Sequence, residues 1–348
     1  MKSKSYIITS ICGILFVLLT VASAVHYVDP YFQYHVPRED LVYNMEMNSF
    51  SYYNAGIAKN FEYDTVVTGS SMSRAMLPSY IDEKFHCKTV KLSMAEARGK
   101  DYEILFSVLE DNTNLKRVIM GLDTFAFIVD KDYSSYEKPM HLYDDNPLND
   151  VLYLANMDGL LESYKVLSNS QNGGKTTTMD DYQNYTLTNT FSREKVVDIY
   201  NSKAPVVQNY EVDKEALSKT VTENLEQNLI PTIERNPQVE FVFYFPPYSI
   251  VKWGITENRA TEIECMRIIM EELIDYPNVS IFFLQGEQEI TTDLEHYMDT
   301  IHFDTFVANE IVDYMANDEN KLTDENYEHV LKEFSVYVEN YDYSLLKE

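Results

Sequence analysis

Basic residues are scarce in this 348-residue chain: Lys and Arg total 28 against 56 Asp and Glu, a formal charge of -28. Nucleic-acid binding depends on basic surface that neutralises phosphates, so this balance argues against it. It also disfavours adhesion to an anionic membrane. Cysteine is nearly absent. Cys12, Cys87 and Cys265 are scattered, which excludes a disulfide framework and any cysteine metal site of ordinary spacing. Two buried free thiols are the favoured expectation for Cys87 and Cys265, with a bridge as the alternative. His86, His141, His296 and His302 show no paired-ligand spacing, and Gly69 stands without the further glycines or lysine of a phosphate loop. No cofactor, metal or internal repeat is therefore expected. Hydrophobic content of 45% and aromatic content of 13% exclude a disordered chain, so the acidity belongs to the surface of a folded protein.

Lys2 and Lys4 precede a nearly uncharged run from Tyr6 to about Val28, long enough to cross a bilayer as a helix. Positive charge before the run, with Asp29, Glu39 and Asp40 after it, orients the body to the outside. Ala22-Ser23-Ala24 resembles a peptidase site, which keeps a cleaved signal peptide open. A retained anchor over residues 1–28 is favoured, because the run exceeds a signal core.

Residues 29–53 are aromatic and proline-punctuated, without a period, and read as a strap. Short runs apolar on both faces follow at 65–68, 89–93, 118–122, 240–245 and 279–284, as in strands covered on both sides. Helices are expected at 100–109, at 257–274 and after His302, the last capped by Asp304 or Thr305. These elements predict an α/β body over 29–348: a three-layer sandwich on a five-stranded parallel, doubly wound sheet. An insertion at about 124–238 contains a helix over 147–167, a turn at Asn172-Gly173-Gly174 and a long helix over 212–234. It is expected to lie over the sheet's carboxyl edge and shape a substrate groove. The acidic tail, about 319–348, carries another helix over 326–339.

Ligands bind at the carboxyl ends of strands in open α/β sheets. The first strand ends in Gly69-Ser70-Ser71 on a strand-to-helix turn. There Ser71 can act as a nucleophile beside N–H groups able to stabilise an oxyanion, or simply cap a helix. A serine needs a base and an orienter for that base, and Asp299-Thr300-Ile301-His302 supplies both after the last strand. The third strand ends in Gly121-Leu122-Asp123, with Asp123 towards the site or capping the next segment. The fourth ends in Tyr244-Phe245-Pro246-Pro247-Tyr248-Ser249, followed by Trp253, whose aromatic faces either stack on sugar rings or pack beneath the insertion. Arg74 and Arg98 either bind an anionic substrate or pair with Glu96, pairing being favoured.

This set of strand-end motifs, in this order, resembles the SGNH (GDSL-type) hydrolase superfamily. It is closest to the membrane-anchored, extracytoplasmic branch related to the D-alanyl–lipoteichoic acid transfer protein (DltD-like), typical of Gram-positive bacteria. The likeness runs from about Asp29 to Met315 and is sharpest at Gly69-Ser70-Ser71 and Asp299-Thr300-Ile301-His302. It implies a flavodoxin-like sheet, with Ser71 as nucleophile, His302 as general base and Asp299 as its orienter. It further implies an acyl hydrolase or O-acyltransferase acting on an acylated cell-envelope polysaccharide or teichoic-type polymer, partnered by a membrane-bound O-acyltransferase. Two departures stand out. Ser70 replaces the aspartate of Gly-Asp-Ser, as in DltD-like members, and Asp123 fills the slot of the Gly-x-Asn asparagine that donates to the oxyanion. The second block is blurred, with Ser93-Met94-Ala95-Glu96 ahead of a late Gly99; a backbone N–H near Ala95 or Glu96 is the expected substitute. An inactive scaffold of the same fold is the rival expectation.

Overall fold

The computed structural model describes residues 2–110, 112–203 and 211–347. The chain divides into two compact units. The first comprises Met1–Glu62, Ser107–Asn112 and Lys138–Thr178; the second comprises Tyr63–Phe106, Thr113–Glu137 and Met179–Glu348. The expected insertion is thus shared out, its 138–178 stretch joining the N-terminal segments and the rest joining the sheet; residues 204–210 of it lie outside the described residues.

In chain order the first elements are α1 (Lys2–Val28), α2 (Phe50–Asn60), β1 (Thr65–Thr68), α3 (Pro78–Phe85), β2 (Thr89–Lys91), α4 (Gly99–Leu109) and β3 (Arg117–Gly121). Then come α5 (Val151–Leu154), α6 (Met157–Gln171), α7 (Arg193–Lys203), α8 (Lys214–Asn228), α9 (Ile230–Arg235), β4 (Glu240–Phe245), α10 (Ile250–Ile255) and α11 (Arg259–Leu273). The chain finishes with β5 (Val279–Phe283), α12 (Gln288–Thr291), α13 (Thr305–Ala316) and α14 (Tyr327–Asn340).

In the first unit, α1 is long and apolar enough to cross a membrane over Lys4–Val28. Asp29 ends it with φ near +46°. Its buried carboxylate gathers the backbone N–H groups of Gln33, Tyr34 and His35 and the Tyr153 hydroxyl, at 2.7–3.0 Å. One anion so placed satisfies four donors and fixes the exit of the chain from the helix. The 29–53 strap is held further by the Val42 and Thr177 amides, which donate to Ser170 Oγ and the Tyr43 carbonyl.

In the second unit the five strands form one parallel sheet in the order β2-β1-β3-β4-β5. β1 is buried throughout, and β4 everywhere but at Glu240, so both faces of the sheet are covered, as the apolar runs require. The chain steps from β1 to β2 on one side and then to β3 on the other. The crevice between the ends of β1 and β3 is therefore the topological switch point, the usual ligand position in such sheets. Both Gly69 and Leu122 lie just beyond these strands at that edge.

Several expected boundaries move. The helix expected over 147–167 is two: Asn156 accepts from the Asp158 amide and starts α6 afresh. The long helix over 212–234 also breaks, at Leu229, with Pro231 in the first turn of α9. Proline has no N–H and clashes within a helix interior, so it begins a helix instead. The three cysteines are all free, so the bridge alternative falls; Cys265 is buried and Cys87 half-buried.

Candidate active site

Gly69 has φ of +135°, a region closed to residues with a Cβ, and a Cβ there would meet the Gly121 amide nitrogen at 3.1 Å. The glycine lets β1 turn sharply beside β3. Ser70 then caps the single 3₁₀ turn Ser71–Ala75, its hydroxyl accepting from the Met72 amide at 3.2 Å. The capping duty thus falls to Ser70, and Ser71, half-buried, is left for other work.

Ser71 Oγ lies 2.8 Å from His302 Nε2, although 231 residues separate them in sequence. His302 Nδ1 lies 2.7 Å from Asp299 Oδ2. The other oxygen, Asp299 Oδ1, accepts from the backbone amides of Ile301 and His302 at 2.9 and 2.8 Å. Burial pushes the Asp299 carboxyl up, but the hydrogen bonds and charge of His302, with the two amides, outweigh it and hold the group below the usual carboxylate range. An ionised Asp299 makes Nδ1 the donor, so Nε2 faces the Ser71 hydroxyl as an acceptor. The loop is pinned from behind: the Thr300 carbonyl accepts from Ser249 Oγ at 2.7 Å, and the Tyr297 hydroxyl donates to the Pro247 carbonyl at 2.7 Å. His296 sits 2.8 Å from Asp304 in a similar acid–imidazole pair, but the serine meets His302.

The β2 turn also reaches this edge. The Met94 amide donates to the Gly69 carbonyl at 2.9 Å, which brings Ala95 and Glu96 next to the Gly69 turn. Glu96 adopts φ of +55°, and its carbonyl accepts from Ser135 Oγ at 2.5 Å. Beneath them a buried hydroxyl pair, Ser73 and Ser93 at 2.7 Å, ties the two turns together.

Asp123 is 1% exposed. Its Oδ1 accepts from the Tyr248 hydroxyl, and its Oδ2 has no hydrogen-bond partner among the described residues. Burial pushes its carboxyl up, against the pull of the Ser70 and Tyr248 hydroxyls and the more distant His302 and Lys252. The Tyr248 ring, like Trp253 and Tyr244, is buried, so the sugar-stacking option for this stretch is replaced by core packing. Lys252, one helical turn beyond Tyr248, pairs with Glu262 and lies 4.1 Å over the Trp253 ring.

The arginines depart from expectation. Arg98 donates to the Phe125 carbonyl at 2.5 Å and to Ser135 Oγ at 3.3 Å, in place of an ion pair with Glu96. Arg74 is buried among Tyr136, Tyr182 and Tyr185. Tyr185 was not singled out in the sequence, yet its ring stands edge-on to His302 at 5.5 Å, and its hydroxyl donates to the Phe303 carbonyl at 2.7 Å. Its only signal is packing, which a linear pattern does not carry. Lys91 was missed as well: it is fully buried, donating to the carbonyls of Arg74 and Asp180 at 3.0 and 3.3 Å.

No protein-family model matches the chain, and no curated protein matches it. The chemistry must therefore be read from the geometry. Serine, imidazole and carboxylate stand in one hydrogen-bonded line, with the serine accessible. That arrangement can draw a proton from the hydroxyl as it attacks an electrophilic carbon. Among the described residues no group of three or more His, Cys, Asp or Glu side chains is placed to hold a metal ion.

Proposed function

We propose that this protein is an extracytoplasmic SGNH-type serine acyl hydrolase or O-acyltransferase, anchored by α1. Its substrates would be acyl esters of a cell-envelope glycan or teichoic-type polymer. The observation that carries the reading is the 2.8 Å and 2.7 Å line from Ser71 through His302 to Asp299. Ser71 Oγ attacks the acyl carbonyl while His302 Nε2 takes its proton. The tetrahedral intermediate collapses, and His302 returns that proton to the departing alkoxide, leaving an acyl-Ser71 ester. Water or a polymer hydroxyl then attacks this ester by the same proton path, with Ser71 as the leaving group. Asp299 keeps the imidazole in the required tautomer and steadies its positive charge. The backbone N–H groups of Ser71 and of Ala95 or Glu96 are the proposed oxyanion donors. The likeness to DltD-like proteins supports the polymer substrate and a membrane-bound O-acyltransferase as partner.

A second reading keeps the fold and makes the protein a weak or inactive scaffold for that partner. The buried Asp123 carboxyl favours it, because an ionised acid beside an oxyanion opposes the reaction. The two readings part on one experiment. A fluorophosphonate probe is expected to label the full chain in detergent at Ser71, with labelling abolished in Ser71→Ala. A folded wild-type protein that stays unlabelled overturns the enzyme reading.

A further inference from the structure

The first unit exposes an unusual amount of apolar surface in one short stretch. Leu148, Val151, Leu152, Met157, Leu161 and Tyr164 are each more than half exposed, Leu148 at 85%. On α6 the last three follow at i, i+4 and i+7, so they form one stripe. The opposite side of α6, Gly159, Ser163 and Val166, is buried. Gly159 faces both α1 and α5: a Cβ there would meet the Tyr153 carbonyl oxygen at 2.9 Å and touch Val25 Cγ1 at 3.4 Å. α6 thus seats its small face on the last turns of α1 and leaves its large apolar face uncovered.

The level of that contact follows from α1. Tyr6 and Tyr27, both exposed, stand near its two ends and are 21 residues apart, a rise of about 32 Å. That matches a hydrocarbon core of about 30 Å with tyrosines at both interfaces. Val25 then falls at the outer acyl boundary, and α6, packed upon it, lies within one helix diameter of that boundary, about 10 Å. No residue from Lys4 to Thr20 is covered by the rest of the described chain, whereas cover begins at Val21.

We propose that the α5–α6 hairpin and the loop entering it lie in the interface of the bilayer that α1 crosses, with Leu152, Met157 and Leu161 among the upper acyl carbons. The inference rests on the anchor reading above. The occupant is zwitterionic lipid: Asp144, Asp145, Asp150 and Asp158 share the stretch, so apolar contact and not headgroup charge drives the association.

The test uses the full chain reconstituted in zwitterionic vesicles. Leu152→Trp and Leu161→Trp introduce reporters, while native Trp253, buried in the other unit, gives a constant background. Phe16→Trp reports on the middle of α1. Lipid brominated near the top of its acyl chains is expected to quench at least half of the added emission at 152 and 161. Lipid brominated near the chain ends is expected to quench Phe16→Trp most. Quenching of Phe16→Trp with none at 152 or 161 overturns the proposal and spares the anchor. Absence of quenching at all three positions removes the anchor, and the proposal with it.

Discussion

Asp299→Asn isolates the contribution of the carboxylate. Asparagine keeps an oxygen for the Ile301 and His302 amides, which Asp299 Oδ1 now serves at 2.9 and 2.8 Å, so the loop retains its shape. The amide nitrogen replaces Oδ2 and donates to His302 Nδ1, where the carboxylate had accepted. The ring proton must then sit on Nε2, pointing at Ser71 Oγ across 2.8 Å. In that tautomer His302 donates to the serine and cannot take its proton. A reversed tautomer of this kind costs a triad on the order of 10⁴ in rate. The Asp299 side chain is 34% exposed, so water shares part of its task, and the expected loss is nearer 10³, about 4 kcal/mol of barrier. The assay is the rate of fluorophosphonate labelling of the full chain in detergent at neutral pH, with the thermal midpoint measured alongside. An Asp299→Asn protein that is equally stable yet labels within a few-fold of wild type refutes the relay.

Asp123→Asn tests the buried acid beside the site. The native state holds the Asp123 proton above its ordinary pKa of 3.8, so the wild type loses stability as pH rises from there through the raised folded value. The amide has no such slope. Denaturant titrations are expected to show Asp123→Asn gaining on wild type across that window, and labelling of Ser71 at neutral pH is expected to rise; parallel stability curves would sink the assignment. For Lys91 the sign is opposite. Burial first, then Arg74, pull its pKa from 10.5 to about 7 against the charges of Asp180 and Asp181. The unfolded chain therefore binds a proton that the native state does not, and stability rises with pH from about 7 to 10.5. Lys91→Met is expected to be more stable than wild type below pH 7 by about 2–4 kcal/mol, with the gain fading by pH 10; a constant difference would refute the depressed lysine.

Local chemistry made most of this architecture legible. Strands 65–68 and 240–245 are filled, Glu240 apart, with β-branched or aromatic residues and end at Gly69 and Pro246, so their ends follow from composition. β2 is regular only to Lys91, but the Leu92 and Met94 amides go on donating to the Val67 and Gly69 carbonyls, so its pairing with β1 runs through the expected 93 before the chain turns at Ala95 and Glu96. Asn156 and Leu229 each divide a run that an apolar period reads as one helix; capping and proline geometry decide there, and a period carries neither. The division into two units was illegible, since the 138–178 stretch joins the N-terminal strap through pairings such as Thr177 with Tyr43, more than a hundred residues away. The triad was legible because its residue types are few and each must end a strand or follow the last one. The sequence leaves Tyr248 open between an exposed stacking face and packing beneath the insertion; its ring is buried and its hydroxyl donates to Asp123 in the interior.

Three of the ionisable groups that the second unit buries lie near its switch point, while Asp101, Arg259 and Glu264 are buried in α4 and α11. Within the second unit Arg74, Lys91 and Asp123 are all nearly inaccessible, and each stands in or just beyond β1, β2 or β3. Burying a charge costs several kcal/mol unless it is paired or neutralised. Stability alone would replace such residues with apolar ones. Three such residues near the switch point make sense where a reaction needs fixed charges and dipoles that water does not reorganise. On the proposed reading Ser71, His302 and Asp299 move the proton, and the buried Arg74 and Lys91 supply part of a field that is already oriented. Removing Ser71 should therefore abolish chemistry with little change in stability. Replacing Lys91 or Asp123 should raise stability and alter the rate. That pairing of signs separates a working site from an α/β body that merely retains its outline.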